Sequence, residues 1–151
     1  MTDKPKNPPA KSLATPCGGA IHADPDAPRS PEQLPLPEGL QDKPIEAKSA
    51  AEWAYQRLIL YIQNFEEQLD EEHEVAVGLA GGSAGVLRIE GIGYFDPDII
   101  TFYGANEAGA KTQLIQHVSQ LSVTLAALPK KADEAAPRRI GFRLAAEQHI
   151  K

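Results

Sequence analysis

A short segment near the middle of the chain carries the side chains whose types and spacing could do chemistry. On a continuous helix these side chains would form one stripe, because residues three and four apart share a helix face. Neutral amides beside an imidazole can bind a polar ligand, and the imidazole can act as a general base where a carboxylate orients it. The alternative is an ordinary solvated helix face. The candidate ligand-binding residues are Gln113, Gln116, His117 and Gln120, with Ser119 among them.

Two acidic groupings are weaker candidates. The pair in Asp96-Pro97-Asp98 could hold a cation or share a proton between its two carboxylates, but Asp is also a favoured turn residue that binds local backbone amides. Glu66, Asp70 and His73 have the spacing of one helix face, yet the sequence offers no second set of ligands to complete a metal site. We therefore predict no metal, no cofactor and no catalytic residue, and the sequence favours a non-enzyme over an enzyme.

The charge is unevenly distributed along the chain. The net charge of −6 disfavours non-specific binding to nucleic acid and to anionic membranes. Residues 66–74 carry six acids and no base, whereas residues 129–151 carry six bases and three acids. These acidic and basic regions could meet within the fold or across a partner. Arg138, Arg139 and Arg143 are accordingly candidate partner-binding residues, and nucleic-acid binding through them is a weaker alternative.

Composition divides the chain into a tail and one domain. Residues 1–46 hold ten of the thirteen prolines, no aromatic residue and no apolar periodicity. Such a segment buries too little apolar surface to offset the entropy of ordering it. We predict a disordered Pro-rich tail at 1–47, a single domain at 48–146 and a frayed C-terminus at 147–151. The one cysteine, Cys17, excludes an internal disulfide and fits a reducing cytoplasm.

The first half of the domain has clear local signals. Ser49 and Glu52 match a capping box, and the apolar residues that follow predict a helix over 50–70. Alternating apolar residues then predict strands over 74–79, 86–94 and 99–103, with Asp96-Pro97-Asp98 as a turn. Gly91 and Gly93 are expected on the Leu87 face of the second strand, where a neighbouring group could approach closely.

The second half allows two interpretations. Residues 105–109 could be a hairpin loop before a fourth strand at 111–116, or a single helix could begin near Thr112. Leucine spacing predicts a helix from about Val118 to Leu128, ended by Pro129, and a last strand over 138–144. The predicted fold is α+β: an antiparallel sheet of four to five strands with two helices on one face, in the order α-β-β-β-(β)-α-β.

Three segments resemble a known family: residues 94–104, residues 114–121 and the sequence Arg139-Ile140-Gly141-Phe142. They are similar to small, uncharacterised bacterial proteins, mainly alphaproteobacterial, over about residues 50–145. The resemblance implies a bacterial cytoplasmic protein with one compact domain, and it brings no activity, cofactor or catalytic residue.

The function expected from the sequence is that of a non-catalytic protein-interaction or self-association module. The charged regions and the exposed sheet edges motivate this interpretation. The alternative is a small-ligand-binding domain or enzyme that uses His117 with the neighbouring Gln residues. No apolar run is long enough to span a membrane, so we expect no membrane partner.

Overall fold

The structure is a computed structural model that describes residues 18–36, 40–41, 43–79 and 85–141. These residues contain one α-helix and one five-stranded antiparallel sheet whose strand order is β4-β3-β2-β1-β5. The α+β class is therefore confirmed, with the order α-β-β-β-β-β. The elements are α1 (Ala50–Glu67), β1 (His73–Leu79), β2 (Val86–Phe95), β3 (Ile99–Ala105), β4 (Lys111–His117) and β5 (Val123–Pro129).

Helix α1 begins at the predicted cap. The Ser49 hydroxyl accepts a hydrogen bond from the Glu52 amide at 3.0 Å, which satisfies one of the free amides of the first turn. The Glu52 carboxylate lies 2.9 Å from the Lys43 ammonium, so an ion pair replaces the return bond of a capping box. The helix packs its apolar face on one side of the sheet. Fully buried side chains at this contact include Ile59, Ile62, Val77, Leu87, Ile100 and Phe102.

The predicted second helix at 118–128 is wrong. Residues 118–120 form only a 3-10 turn, and β5 then pairs with β1 along seven residues, from Val123 opposite Leu79 to Pro129 opposite His73. Leu121, Val123 and Leu125 alternate with polar or small residues, so the same leucines fit a strand as well as a helix. Pairing with β1 favours the strand, because without β5 the edge of β1 would leave a row of backbone groups without partners.

The hairpin interpretation of residues 105–117 is confirmed, and the continuous helix from Thr112 is wrong. The Asn106 side-chain carbonyl accepts from the amides of Ala108 and Ala110, at 3.0 and 2.9 Å. Gly109 follows at a φ of 86°, a conformation that favours glycine. This loop returns the chain so that β4 pairs with β3 along its whole length.

The predicted last strand is also not formed where the structure describes it. Residues 138–141 lie outside the sheet, and the backbone amides of Arg138, Ile140 and Gly141 donate to side chains instead. The rest of that prediction, residues 142–144, and the frayed C-terminus at 147–151 fall outside the described residues.

Part of the predicted tail packs against the domain. Leu36 is 5% exposed and Leu40 is 1% exposed, and both belong to the hydrophobic core. Arg57 on helix α1 donates to the carbonyls of Pro31 and Leu34, at 2.8 and 3.4 Å. For these residues the folded region extends beyond the boundary expected at residue 48. Residues 1–17, 37–39 and 42 lie outside the described residues, and disorder there stays a prediction.

A bulge in β2 changes which residues share a face. The pairing with β3 shifts between Ile89 and Gly91, so one extra residue is inserted in β2. Gly91 and Gly93 consequently lie on the face opposite Leu87 and Ile89, which corrects the face predicted from simple alternation. The expected close approach does occur, on that opposite face.

The turn at residues 96–98 connects three parts of the fold. The Ser49 hydroxyl donates to the Asp96 carboxylate at 2.6 Å, and the Ala51 amide donates to the Pro97 carbonyl at 3.0 Å. The Val118 amide donates to the Asp98 carbonyl at 2.7 Å. This turn therefore fixes the start of helix α1 and the end of β4 against the β2–β3 hairpin.

Candidate functional site

The predicted polar stripe is divided between two faces because its residues lie on a strand. In β4, Gln113 and His117 point to the same side as Lys111 and Ile115, whereas Gln116 points to the helix side. The side-chain amide of Gln116 donates to the Gln120 carbonyl at 3.4 Å, and its own carbonyl oxygen is buried without a hydrogen-bond partner. The four predicted Gln and His residues therefore do not form one row.

The sheet side opposite helix α1 is open over β2, β3 and β4. Phe95 is 74% exposed, Ile115 is 61% exposed and Tyr103 is 43% exposed, and all three lie on this side. Of the described residues, only Ile21 is another large hydrophobic residue with comparable exposure. We call this surface the outer face. It comprises Gly91, Gly93, Phe95, Ile99, Thr101, Tyr103, Gln113, Ile115 and His117.

Tyr103 lies on β3, the middle strand of the outer face, and two glycines of β2 make room for its ring. A Cβ atom on Gly91 would lie 3.6 Å from Tyr103 Cδ1, and one on Gly93 would lie 3.7 Å from Tyr103 Cε1. The ring thus lies across both glycines, and Gln113 is its direct neighbour on β4. An aromatic ring packed over strand glycines is held in place while its outer surface stays exposed.

His117 has the carboxylate partner that the general-base hypothesis required. Its Nε2 lies 3.1 Å from Asp98 Oδ2, and its Nδ1 lies 2.8 Å from the Ser119 hydroxyl oxygen. The Ser119 amide donates to the same Nδ1 at 3.0 Å, and Gln120 accepts from the His117 amide at 3.1 Å. The arrangement brings together Asp98, His117, Ser119 and Gln120, at the end of the outer face.

These bonds also limit what the imidazole can do. Nδ1 accepts a hydrogen bond from the Ser119 amide, so the ring proton is on Nε2 and is donated to Asp98. The lone pair that a general base would use, that of Nδ1, is therefore already engaged. Ser119 is only two residues from His117, so the contact is the local cap of the 3-10 turn at 118–120. The His117 and Asp98 side chains are 48% and 41% exposed, so solvent weakens the contact between them. The geometry fits a structural cap at least as well as a base.

The acidic and basic regions of the sequence meet within the fold. The Glu66 carboxylate, 6% exposed as a residue, accepts from the amides of Ile140 and Gly141 at 2.9 and 2.8 Å. The Arg139 guanidinium donates to the carbonyls of His73 and Asp70 at 2.7 and 2.8 Å. The C-terminal segment is thereby bound to the end of helix α1 and the start of β1.

Glu74 extends this contact to the neighbouring strand. Its carboxylate accepts from Arg88 at 2.8 Å and from the Arg138 amide at 2.9 Å, while the Arg138 guanidinium donates to the Ile89 carbonyl at 3.0 Å. Burial alone would raise the pKa of Glu74, but a hydrogen bond with Glu134 and these cationic neighbours lower it overall. Arg138 and Arg139 are therefore engaged internally. Arg143 lies outside the described residues, and partner binding by the three arginines stays a prediction.

The weaker acidic candidates have structural partners. Asp70 binds the His73 imidazole at 2.7 Å, and this bond holds the pKa of Asp70 below its ordinary value. Glu66 faces the C-terminal segment instead of joining them. Among the described residues, no group of three or more His, Cys, Asp or Glu side chains could hold a metal ion. No helix in the described ranges is long and apolar enough to cross a membrane.

Sequence reasoning missed the outer face because the polar stripe was placed on the helix alternative for these residues, although the strand alternative at 111–116 was also open. The available signal was the alternation in Lys111-Thr112-Gln113-Leu114-Ile115, which has the period of two that a half-buried strand shows. Tyr103 next to buried Phe102 carries the same signal in β3. Both patterns place a large apolar side chain on the side opposite α1, which no helix among the described residues covers.

The fold and the outer face together define a small α+β domain with one helix-covered and one open sheet side. A family model described as "Family of unknown function (DUF6173)" matches residues 42–143, and the chain belongs to this family. The searches of curated proteins and of solved structures gave no match. The mainly alphaproteobacterial distribution and the cytoplasmic location implied by the sequence stay predictions.

Proposed function

We propose that this domain is a non-catalytic self-association module and that its outer face is the interface with a second copy of the chain. The observation that carries the proposal is the exposure of Phe95, Tyr103 and Ile115 together on the outer face. Exposed apolar side chains scattered singly are ordinary, but a contiguous group bordered by polar residues is typical of interaction sites. Two sheets of this kind pack face to face at about 10 Å.

Charge supports a second copy as the partner. Lys111 is exposed at one end of the outer face, and Asp98 lies at the other end, seven residue steps away along the strand pairing. That separation is roughly 20 Å at about 3.3 Å per residue. A two-fold axis perpendicular to the strands would place Lys111 of each copy near Asp98 of the other. The acidic residues 66–74 lie outside this face, so this dimer would not bring the acidic residues of the two copies together.

Replacing Ile115 with lysine is expected to weaken self-association at least about tenfold, which corresponds to about 1.4 kcal/mol. The reason is that a charged side chain would be buried without a partner at the centre of the interface. Sedimentation equilibrium over a wide concentration range would measure the monomer–dimer constant. The wild-type chain is expected to form a concentration-dependent dimer.

Ile21→Lys is the matched control, because Ile21 is 98% exposed and lies outside the sheet. It should dimerise as the wild type does. A wild-type chain that stays monomeric throughout, or an equal effect of the two substitutions, would contradict self-association through the outer face.

A second candidate function is small-ligand binding or catalysis at His117, and the 3.1 Å contact with Asp98 favours it. Amides at Gln113 and Gln120 stand on either side of His117 in the sequence and could bind a polar ligand. If this function is correct, small polar fragments should produce saturable amide shifts around His117 in two-dimensional NMR spectra. His117→Ala should remove these shifts, while His22→Ala, which changes an exposed histidine elsewhere, should keep them. Shifts that survive in His117→Ala would exclude this candidate.

A further inference from the structure

A cavity between helix α1 and the start of β5 is a separate feature of the fold. Its volume is about 350 Å³, within the range of about 300–1,000 Å³ that is usual for small-molecule sites. The wall is mostly aliphatic, formed by half-buried side chains from two elements. These are Ala54, Leu58 and Tyr61 on the helix and Leu121, Val123 and Leu125 on the opposite side.

The polar part of this cavity is contributed by Arg57 and Tyr61. The Arg57 guanidinium lies 5.5 Å from the centre of the Tyr61 ring and 5.9 Å from that of Trp53, so aromatic rings hold it in place. Arg57 uses two of its five N–H groups to bind the carbonyls of Pro31 and Leu34. A guanidinium held beside a phenol hydroxyl is suited to a carboxylate.

A carboxylate already occupies this position. Glu32, from the segment that lies over the helix, accepts a hydrogen bond from the Tyr61 hydroxyl at 2.5 Å. That hydroxyl, and more weakly the charge of Arg57, hold the pKa of Glu32 below its ordinary value. The protein therefore stabilises an anionic carboxylate where the aliphatic cavity meets the surface. Glu32 contributes only its carboxylate to this position, and its short side chain leaves the cavity unfilled.

We propose that the cavity binds a straight-chain carboxylic acid of medium length, with the chain against Leu58 and Leu125 and the carboxylate at Arg57 and Tyr61 in place of Glu32. The occupant is a small amphiphile because the aliphatic wall and the anion position are contiguous. The site is separate from the outer face, so the inference does not depend on self-association. Glu32 competes with the ligand for the Tyr61 hydroxyl.

The test uses the full chain, with octanoate and decanoate as probes below their micelle concentrations. Trp53 is the only tryptophan and lies beside Arg57, so its fluorescence reports on the site, and calorimetry gives the stoichiometry. We expect one molecule bound per chain. Decanoate should bind about tenfold more tightly than octanoate, because each buried methylene contributes roughly a factor of four. Octan-1-ol, which lacks the charge, should bind at least about tenfold more weakly than octanoate.

Three substitutions separate the parts of the site. Ala54→Leu should abolish binding by filling the cavity, whereas Ala135→Leu, in an exposed loop, should leave it unchanged. Arg57→Gln should weaken octanoate binding at least about tenfold, whereas Lys111→Gln should not. Glu32→Gln should strengthen binding severalfold, because it removes the competing charge.

Several results would overturn the inference. These are the absence of saturable binding in calorimetry, equal binding of octanol and octanoate, and unchanged binding by Ala54→Leu. Tighter binding of a short peptide with an apolar C-terminal residue, competing with octanoate, would assign the cavity to a protein terminus instead. If Arg57→Gln does not fold, the comparison of octanoate with octanol on the wild-type chain decides the role of the charge.

Discussion

Replacing Gly104 with alanine is expected to destabilise the domain by at least about 3 kcal/mol, a large part of the 5–15 kcal/mol that stabilises a typical domain. A Cβ atom at this position would lie 2.3 Å from the Arg88 carbonyl oxygen and 3.2 Å from the Ile89 Cα. Both contacts are with backbone, so no side chain can rotate away to relieve them. The β2–β3 pairing would have to separate at the bulge.

Urea unfolding followed by far-ultraviolet circular dichroism would measure this loss. Gly19→Ala is the matched control, because its Cβ would meet nothing within 4 Å, and it should change the free energy of unfolding by less than about 0.5 kcal/mol. If Gly104→Ala unfolds at the same urea concentration as Gly19→Ala, the close approach of β2 to Gly104 is wrong.

Replacing Glu66 with alanine is the second large effect, with an expected loss of about 3–5 kcal/mol. The substitution removes a buried carboxylate that accepts two backbone amides, those of Ile140 and Gly141. Hydrogen bonds to charged groups contribute about 1.5–3 kcal/mol each, and both amides would lose their acceptor, that of Gly141 in a buried position. The C-terminal segment should detach from the end of helix α1.

Thermal unfolding and limited proteolysis with trypsin would test this expectation. Trypsin should cleave after Arg138 or Arg139 faster in Glu66→Ala than in the wild type, because the released segment becomes accessible. Glu67→Ala changes the exposed neighbouring acid and should leave both measurements unchanged. Equal cleavage rates in Glu66→Ala and Glu67→Ala would show that the carboxylate does not hold the segment.

The elements that were predicted correctly are those with local signals. Helix α1 has its Ser49 cap and an uninterrupted apolar face, and strands β1 to β3 have short alternating runs with a turn at Asp96-Pro97-Asp98. The helix predicted at 118–128 failed because its leucine spacing also fits a strand. Only the unpaired edge of β1, more than forty residues earlier, decides the outcome, and a local pattern does not contain that information.

The candidate site was predicted less well for the same reason. Gln113 and His117 do share a surface, but Gln116 does not, since a strand places neighbours of odd separation on opposite faces. The contacts of Arg139 and Glu66 join side chains to backbone groups 66 to 75 residues apart. Such contacts leave no periodic trace in the sequence, although the opposite charges of residues 66–74 and 129–151 did indicate that the two regions could meet.

The turns at residues 96–98 and 106–109, which connect β2 to β3 and β3 to β4, should differ in their tolerance to inserted residues. Lengthening the loop at residues 106–109 would change only local hydrogen bonds made by Asn106, and most surface loops accept such insertions. The turn at residues 96–98 is bound to Ser49, Ala51 and Val118, so added residues there would displace the helix start and the end of β4 together. Tags, labels and grafted peptides therefore belong in the loop at residues 106–109, and the turn at residues 96–98 should keep its length.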